Sequence, residues 1–412
     1  MINGKFECRF CGQPLQESFV DLGMSPLANS YIKEQDLLRM EPFYPLNVFV
    51  CSSCLLVQLP AMQPAEAIFS DYAYFSSYSE SWLRHAESYA EKMIFRFGFD
   101  SFSQVVEIAS NDGYLLQYFR DRAIPVLGIE PAANVARTAL DKGIPTIVEF
   151  FGQMTADNLV NDGVYADLLI GNNVLAHVPD INDFISGMKI LLNANGIITM
   201  EFPHLMQLVT NNQFDTIYHE HFSYFSLLAV EKIFIKHGLK IFDVDEIPTH
   251  GGSIRIYACH SDDGSKTVGA NVNNLRQREI SAGMAGLEYY KTFSEKVKSA
   301  KQGILDFFLQ TKRSKGKIAC YGAPAKGNTL LNYCGIRSDF IEYTVDRSPH
   351  KQGLYLPGTH IPILAPEAVN DTKPDYLVIL PWNLKDEIAS QMAHIRQWGG
   401  KFVVLIPEVD VF

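Results

Sequence analysis

"VVEIASNDGYLLQYF", residues 105–119, is the stretch whose reading decides the fold. It has the form of an apolar strand, a tight loop and the start of a helix. Gly113 admits backbone angles that side chains resist, while Asn111 and Asp112 suit a turn leading into a helix N-terminus. The next apolar run, "PVLGIE", ends in Glu130, 23 positions after Glu107. An acid at the end of the second strand of such a unit can accept hydrogen bonds from both hydroxyls of a ribose. A dinucleotide would require G-x-G-x-x-G, and this loop has one glycine, so a pyrophosphate finds no close backbone approach. S-adenosylmethionine carries a ribose and no phosphate, and it fits.

Working outward, short apolar runs recur at "VVEIA", "PVLGIE", "TIVEF", "DLLIGN", "GIITMEF", "LKIFDVDEI" and "SIRIYAC". Helical stretches separate the first six, the pattern of a parallel, doubly wound α/β sheet. The last two are joined by a turn containing Gly251 and Gly252, which predicts an antiparallel pair. Residues 272–312 read as one long polar helix. Beyond it, "KIACYG", "FIEYTVD", "YLVIL" and "KFVVLIP" alternate with helix or loop as a second, smaller α/β layer. Three domains are expected: 1–65, 66–300 and 301–412.

The run E-x-A-S-N-D-G followed by Glu130 resembles motif I and the second-strand acid of class I methyltransferases. The resemblance implies a seven-stranded doubly wound sheet and cofactor contacts at Glu107, Ala109, Asn111, Asp112, Gly113, Glu130, Asn172 and Asn173. Ala109 stands where that family usually has glycine, which places the loop slightly further from the cofactor.

Residues 1–65 hold the pairs "CRFC" and "CSSC", giving Cys8, Cys11, Cys51 and Cys54. Two such turns bring four thiolates into tetrahedral reach, which suits structural Zn2+ with a closed coordination sphere. The 39 residues between the pairs exceed the spacing of a compact zinc ribbon and lengthen the loop without changing the ligands. Cys259, Cys320 and Cys334 lie in or near apolar elements and read as core.

"YHEHFSYFSL", residues 218–227, follows the fifth strand of the central sheet, and "GNNVLAHVPD" puts His177 after the fourth. Ligands of an open α/β sheet lie beyond the carboxyl ends of its strands, where both segments begin. HExxH metal chemistry fails, because Ser223 stands where its second histidine belongs. A histidine near neutral pKa suits removal of a proton next to a carbonyl. Taken whole, the four-cysteine module, this core with "YHEHFSYFSL" and "HGGSIRIY", and the terminal domain with "CYGAPAKGNTLLNY" resemble the sugar C-methyltransferases of deoxysugar biosynthesis. That resemblance spans nearly the full chain. It implies a nucleotide-diphosphate-linked 4-keto-6-deoxyhexose as substrate, methylated at C3. His221 is then the base, Tyr218, Glu220 and His177 hold the sugar or the enolate oxygen, and Tyr72 closes over the site. His219 points the other way in an extended segment and is read as structural.

In the terminal domain, Lys326 near a helix N-terminus, with Arg347, His350 and Lys351 after the next strand, are candidate contacts for the diphosphate. Two rival functions remain open. One is methylation of oxygen or nitrogen, although "GNNVLAH" is not the Asn/Asp-Pro-Pro-aromatic run of many amino-methylating enzymes. The other is a non-catalytic zinc-ribbon adaptor that binds nucleotides. With 35 basic against 46 acidic residues the chain carries −11, which disfavours nucleic acid and anionic membranes as partners. No apolar run approaches the roughly 18 residues a membrane span needs. The odd count of seven cysteines and the paired thiols suit a reducing cytoplasm. Monomer and homodimer are equally compatible with the sequence.

Overall fold

The computed structural model describes residues 6–62, 64, 76–78 and 80–412; Tyr72 lies outside the described residues. Three sheets are built from short apolar runs. In the first, β1 (Glu17–Ser25), β2 (Tyr44–Val50) and β3 (Val57–Gln58) pair antiparallel, and Leu46, Val48 and Val50 of β2 point inward at the two-residue period of a strand.

The central sheet follows the helix Glu80–Phe97. β4 (Val105–Ile108), β5 (Val126–Ile129), β6 (Thr146–Ile147), β7 (Ala166–Asn172) and β8 (Leu192–Pro203) run parallel, with helices between them. β9 (Ser223–Tyr224) leaves this sheet and pairs with β3 of the first one. β10 (Leu239–Ile247) and β11 (Ser253–His260) then complete the central sheet as the expected antiparallel pair, in the order β10-β11-β8-β7-β4-β5-β6. All of β4 and nearly all of β7 is buried, as in a sheet covered on both faces. Chain order reverses between β7 and β4, so a crevice opens beyond their carboxyl ends.

The connector is not the single helix its sequence predicts. It breaks into Ala270–Ser281, Leu287–Lys291 and Phe293–Arg313. Gly283, at φ 92°, ends the first piece in the left-handed conformation that only glycine adopts without penalty.

The third sheet has β12 (Ile318–Tyr321), β13 (Thr344–Val345), β14 (Ile363–Leu364), β15 (Tyr376–Ile379), β16 (Lys401–Val404) and β17 (Asp410–Val411), ordered β14-β13-β12-β15-β16-β17. It is parallel except for β17, and it reverses between β12 and β15. Cys259, Cys320 and Cys334 are buried in core elements, as expected.

The sheets interlock. Phe19 on β1 stacks on Phe293 of the connector at 4.7 Å. Asn328, on the helix Ala325–Cys334, donates to the Ala28 carbonyl at 2.6 Å, and Thr329 beside it donates to the Ile217 carbonyl at 2.9 Å. Ile32 and Tyr355 exchange backbone hydrogen bonds of 3.0 and 2.9 Å. Among the described residues no helix is long and apolar enough to cross a membrane.

Candidate active site

The loop after β4 turns back on three left-handed residues, Ala109, Asn111 and Gly113, at φ 55°, 51° and 75°. The left-handed angle explains why glycine suits position 109; alanine holds it at a cost of about 1 kcal/mol. Gly113 has no alternative, since a Cβ there would lie 2.8 Å from Ile144 Cγ1. Glu130, at the end of β5, is buried and accepts from the Asn111 and Ala132 backbone amides, both at 2.9 Å. Burial raises its carboxyl pKa, and these amides work against that. Glu107 is buried beneath the loop, and burial raises its carboxyl well above the ordinary range.

The Asn111 and Asp112 side chains are partly spent on the chain itself. Asn111 Oδ1 accepts from the Ser76 amide at 2.9 Å, and Lys142 Nζ meets Asp112 Oδ2 at 3.0 Å. The other oxygen of Asp112, both amide atoms of Asn172 and the Asn173 side-chain oxygen are buried without a partner. Buried polar atoms are rarely left unsatisfied. Their convergence at the switch point of the sheet fits a polar, phosphate-free cofactor such as S-adenosylmethionine. If Glu130 binds the ribose, as expected from the sequence, Glu130→Ala should weaken S-adenosylmethionine binding about tenfold to a hundredfold in calorimetric titration, with the Asn111 amide freed as well.

On the rim, the single-turn helix Leu175–His177 brings His177 beside His221, with ring centroids 4.8 Å apart. Tyr218 packs against His221 at 4.0 Å. His221 Nδ1 lies 2.9 Å from the Thr216 carbonyl. A carbonyl only accepts, so Nδ1 carries the hydrogen and Nε2 keeps its lone pair. Burial, then the neighbouring His177, depress the His221 pKa well below that of a free imidazole; burial also brings His177 down to about 4. Both rings are therefore neutral at pH 7. Glu220 is buried and turned the other way, accepting from Asn29 Nδ2 at 2.7 Å; burial pushes its carboxyl up to about 7. His219 Nε2 donates to the Pro45 carbonyl at 3.2 Å, against the first sheet.

The Sγ atoms of Cys8, Cys11, Cys51 and Cys54 all lie within 4.8 Å of one another. Cys8–Cys54 and Cys11–Cys51 are each 3.5 Å apart, close to the roughly 3.8 Å edge of a tetrahedron with 2.3 Å Zn–S bonds. In the Cys8–Cys54 pair the hydrogen bond between the two sulfurs drives one thiol down and its partner up, with burial adding to the rise. The donor set fits zinc.

Comparison with known proteins matches three successive segments of the chain, the last beginning before β11. Family models described as "Putative zinc binding domain", "Methyltransferase domain" and "C-methyltransferase C-terminal domain" match residues 8–69, 82–244 and 248–407. The chain is 35% identical to the C-methyltransferase NovU of Streptomyces niveus over 405 residues, 98% of this chain and 96% of that one. The chain belongs to the C-methyltransferase family. Solved structures similar to this C-methyltransferase include magnesium protoporphyrin IX methyltransferase of Synechocystis PCC 6803 with bound SAM (15% identity, 43% of this chain, 79% of that one, TM-score 0.34). Another is an S-adenosylmethionine-dependent methyltransferase of Clostridium acetobutylicum (13%, 45%, 92%, TM-score 0.35). The cofactor of this C-methyltransferase is S-adenosylmethionine, and its four-cysteine module is a zinc site.

In the terminal domain of the C-methyltransferase, Lys326 Nζ lies over the Trp382 ring at 4.6 Å and donates to Asn383 Oδ1 at 2.7 Å. Lys351 Nζ donates to the Ala323 carbonyl at 2.9 Å. Lys326, on the first turn of the helix Ala325–Cys334, Lys351, on the turn after β13, and Trp382, which opens the short helix Trp382–Leu384, follow the carboxyl ends of β12, β13 and β15, around the second switch point. Arg347 and His350 are exposed on the loop after β13.

Several residues at the site belong to no sequence motif. Asp215, wholly buried, accepts from Trp382 Nε1 at 2.7 Å, and burial pushes its pKa up to about 6. Glu201, at the end of β8, meets His85 Nε2 at 3.0 Å and Arg255 Nη2 at 2.7 Å. Burial alone would raise its pKa, but these partners bring it to about 2. A polar residue within an apolar strand, as in "ITMEFP" and "SIRIY", is the one sequence signal that could have found Glu201 and Arg255.

Proposed function

We propose that this enzyme removes the C3 proton of a nucleotide-diphosphate-linked 4-keto-6-deoxyhexose and methylates the resulting enolate. The observation that carries the reading is the His221 ring, whose Nδ1–H is committed to Thr216 and whose Nε2 is left as an unprotonated base. The C4 ketone acidifies the adjacent carbon, Nε2 takes its proton, and the electron pair moves onto the ketone oxygen. Tyr218, packed against the His221 ring, can donate to that oxygen, whereas Glu220, turned towards Asn29, supports the loop that carries His221. S-adenosylmethionine, when bound, supplies an electrophilic methyl group. The C3–H bond is exchanged for a C3–CH3 bond, and the proton leaves through His221.

Lys326 and Lys351, with Arg347 and His350 nearer solvent, are the proposed contacts of the substrate diphosphate. Two cations at the end of a parallel sheet support that reading. Free thiols and a thiolate metal site favour the cytoplasm.

Mass spectrometry with a panel of nucleotide-linked 4-keto-6-deoxysugars in deuterated water tests the proposal. One added methyl in the product, with deuterium exchanged into C3 of the unreacted substrate, is expected. The ketone acidifies C5 as well, so exchange at C5 alone would move the methylation there. A product methyl with the 13C shift of a methoxy carbon would indicate O-transfer instead.

Glu220 also gives a pH prediction. Its folded pKa is raised, so its contribution to stability is present below the ordinary carboxyl range and lost as pH rises through about 7. Denaturant titration of wild type against Glu220→Gln should show the wild type losing up to about 3 kcal/mol relative to the variant over that interval. Parallel curves would show that Glu220 ionises freely.

A further inference from the structure

Arg9 sits inside the Cys8–Cys11 turn, yet its side chain reaches away from the sulfurs towards the catalytic loops. Nη1 donates to the Pro179 carbonyl at 2.8 Å, two residues beyond His177. Nη2 donates to the Leu59 carbonyl, and the Leu59 amide in turn donates to the Phe222 carbonyl at 3.0 Å. The guanidinium also lies over the Phe222 ring, 5.3 Å from its centroid. Phe222 follows His221 directly, and its amide donates to the Ala176 carbonyl at 2.7 Å. At its other end Arg9 is tied to the metal module. Its backbone amide donates to Gln58 Oε1 at 2.9 Å, and Gln58 Nε2 donates to Cys8 Sγ at 3.1 Å.

One planar cation therefore holds both turns that carry the two active-site imidazoles. We propose that Arg9 is a positioning residue that sets the separation of His177 and His221, with the zinc turn as its fixed base. This deepens the reading of His221 as the base and rests on it. Lysine keeps the charge but cannot span both carbonyls from one nitrogen while lying flat on Phe222. A displacement of about 1 Å at a proton-transfer site costs on the order of a hundredfold in rate.

The test compares wild type with Arg9→Lys and Phe222→Leu, both zinc-replete. The assay uses S-adenosylmethionine with thymidine-diphosphate-linked 4-keto-6-deoxyglucose. Histidine 15N spectra of the substrate-free protein give a second readout. In Arg9→Lys, kcat is expected to fall about twentyfold to a hundredfold, with KM and zinc content unchanged. The His221 nitrogen signals should move from a single tautomer towards a mixture. Phe222→Leu should lower kcat in the same direction without touching the turn. A kcat within threefold of wild type in Arg9→Lys, with unmoved His221 signals, overturns the proposal. So does a joint fall of kcat and zinc content in Arg9→Lys while Phe222→Leu keeps the wild-type rate, because Arg9 then serves only the metal turn. If His221→Gln turns over normally while Arg9→Lys still shifts the His221 signals, the base assignment fails and the positioning stands.

Discussion

His221→Gln is expected to lower turnover by about three orders of magnitude while S-adenosylmethionine affinity stays within twofold of wild type. Glutamine is polar and of similar size. What it lacks is a basic lone pair. Single-turnover kinetics and calorimetric titration separate the two quantities, and deuterium exchange into the substrate should disappear along with methylation. Methyl transfer persisting within a few-fold would remove His221 from the role of base. The wild-type rate profile adds a second check. Burial and His177 hold the His221 pKa well below the ordinary imidazole range, so activity should persist to unusually low pH and fall only as the ring gains a proton. An acid limb at the pKa of a free imidazole would contradict the buried, neutral ring.

Loss of zinc should have the second largest effect. Cys51→Ser removes one of four thiolates, and metal content per chain should drop well below one. Binding free energy at such sites is folding free energy, of order 10 kcal/mol in small zinc modules, so a marked fall in melting temperature is expected. Turnover should decline with it, through structure and without loss of any reacting group. β3 begins three residues beyond Cys54, and its partner β9 begins two residues beyond His221. Unchanged zinc content would exclude Cys51 as a ligand.

Local chemistry was the legible part of this sequence. The strand–loop–helix around Gly113, the buried acid at the end of the next strand and the cysteine pairs all depend on residues near one another in the chain. The central sheet followed from its apolar runs. The connector failed because helical periodicity outweighed Gly283 and Gly286 in the reading, whereas in the fold Gly283 takes a left-handed angle and breaks the helix. Asn29 with Glu220, Asp215 with Trp382, and His85 with Glu201 could not be read at all. Each pair joins residues more than a hundred positions apart, and none has a local pattern to betray it. Ala109 shows the intermediate case: the sequence revealed a departure from glycine, and only the backbone angle showed what glycine had been for.

The pairing of β3 with β9 also bears on how the chain is made. Val57 must wait for Tyr224, 167 positions later, before its strand edge is covered. At roughly 5–20 residues per second of synthesis, that leaves the edge open for about ten to thirty seconds. An unpaired edge strand is a template for association with other chains. The two-residue length of β3 limits that hazard, and zinc capture by all four cysteines, complete by residue 54, would hold the nascent module closed while its last strand is still being translated.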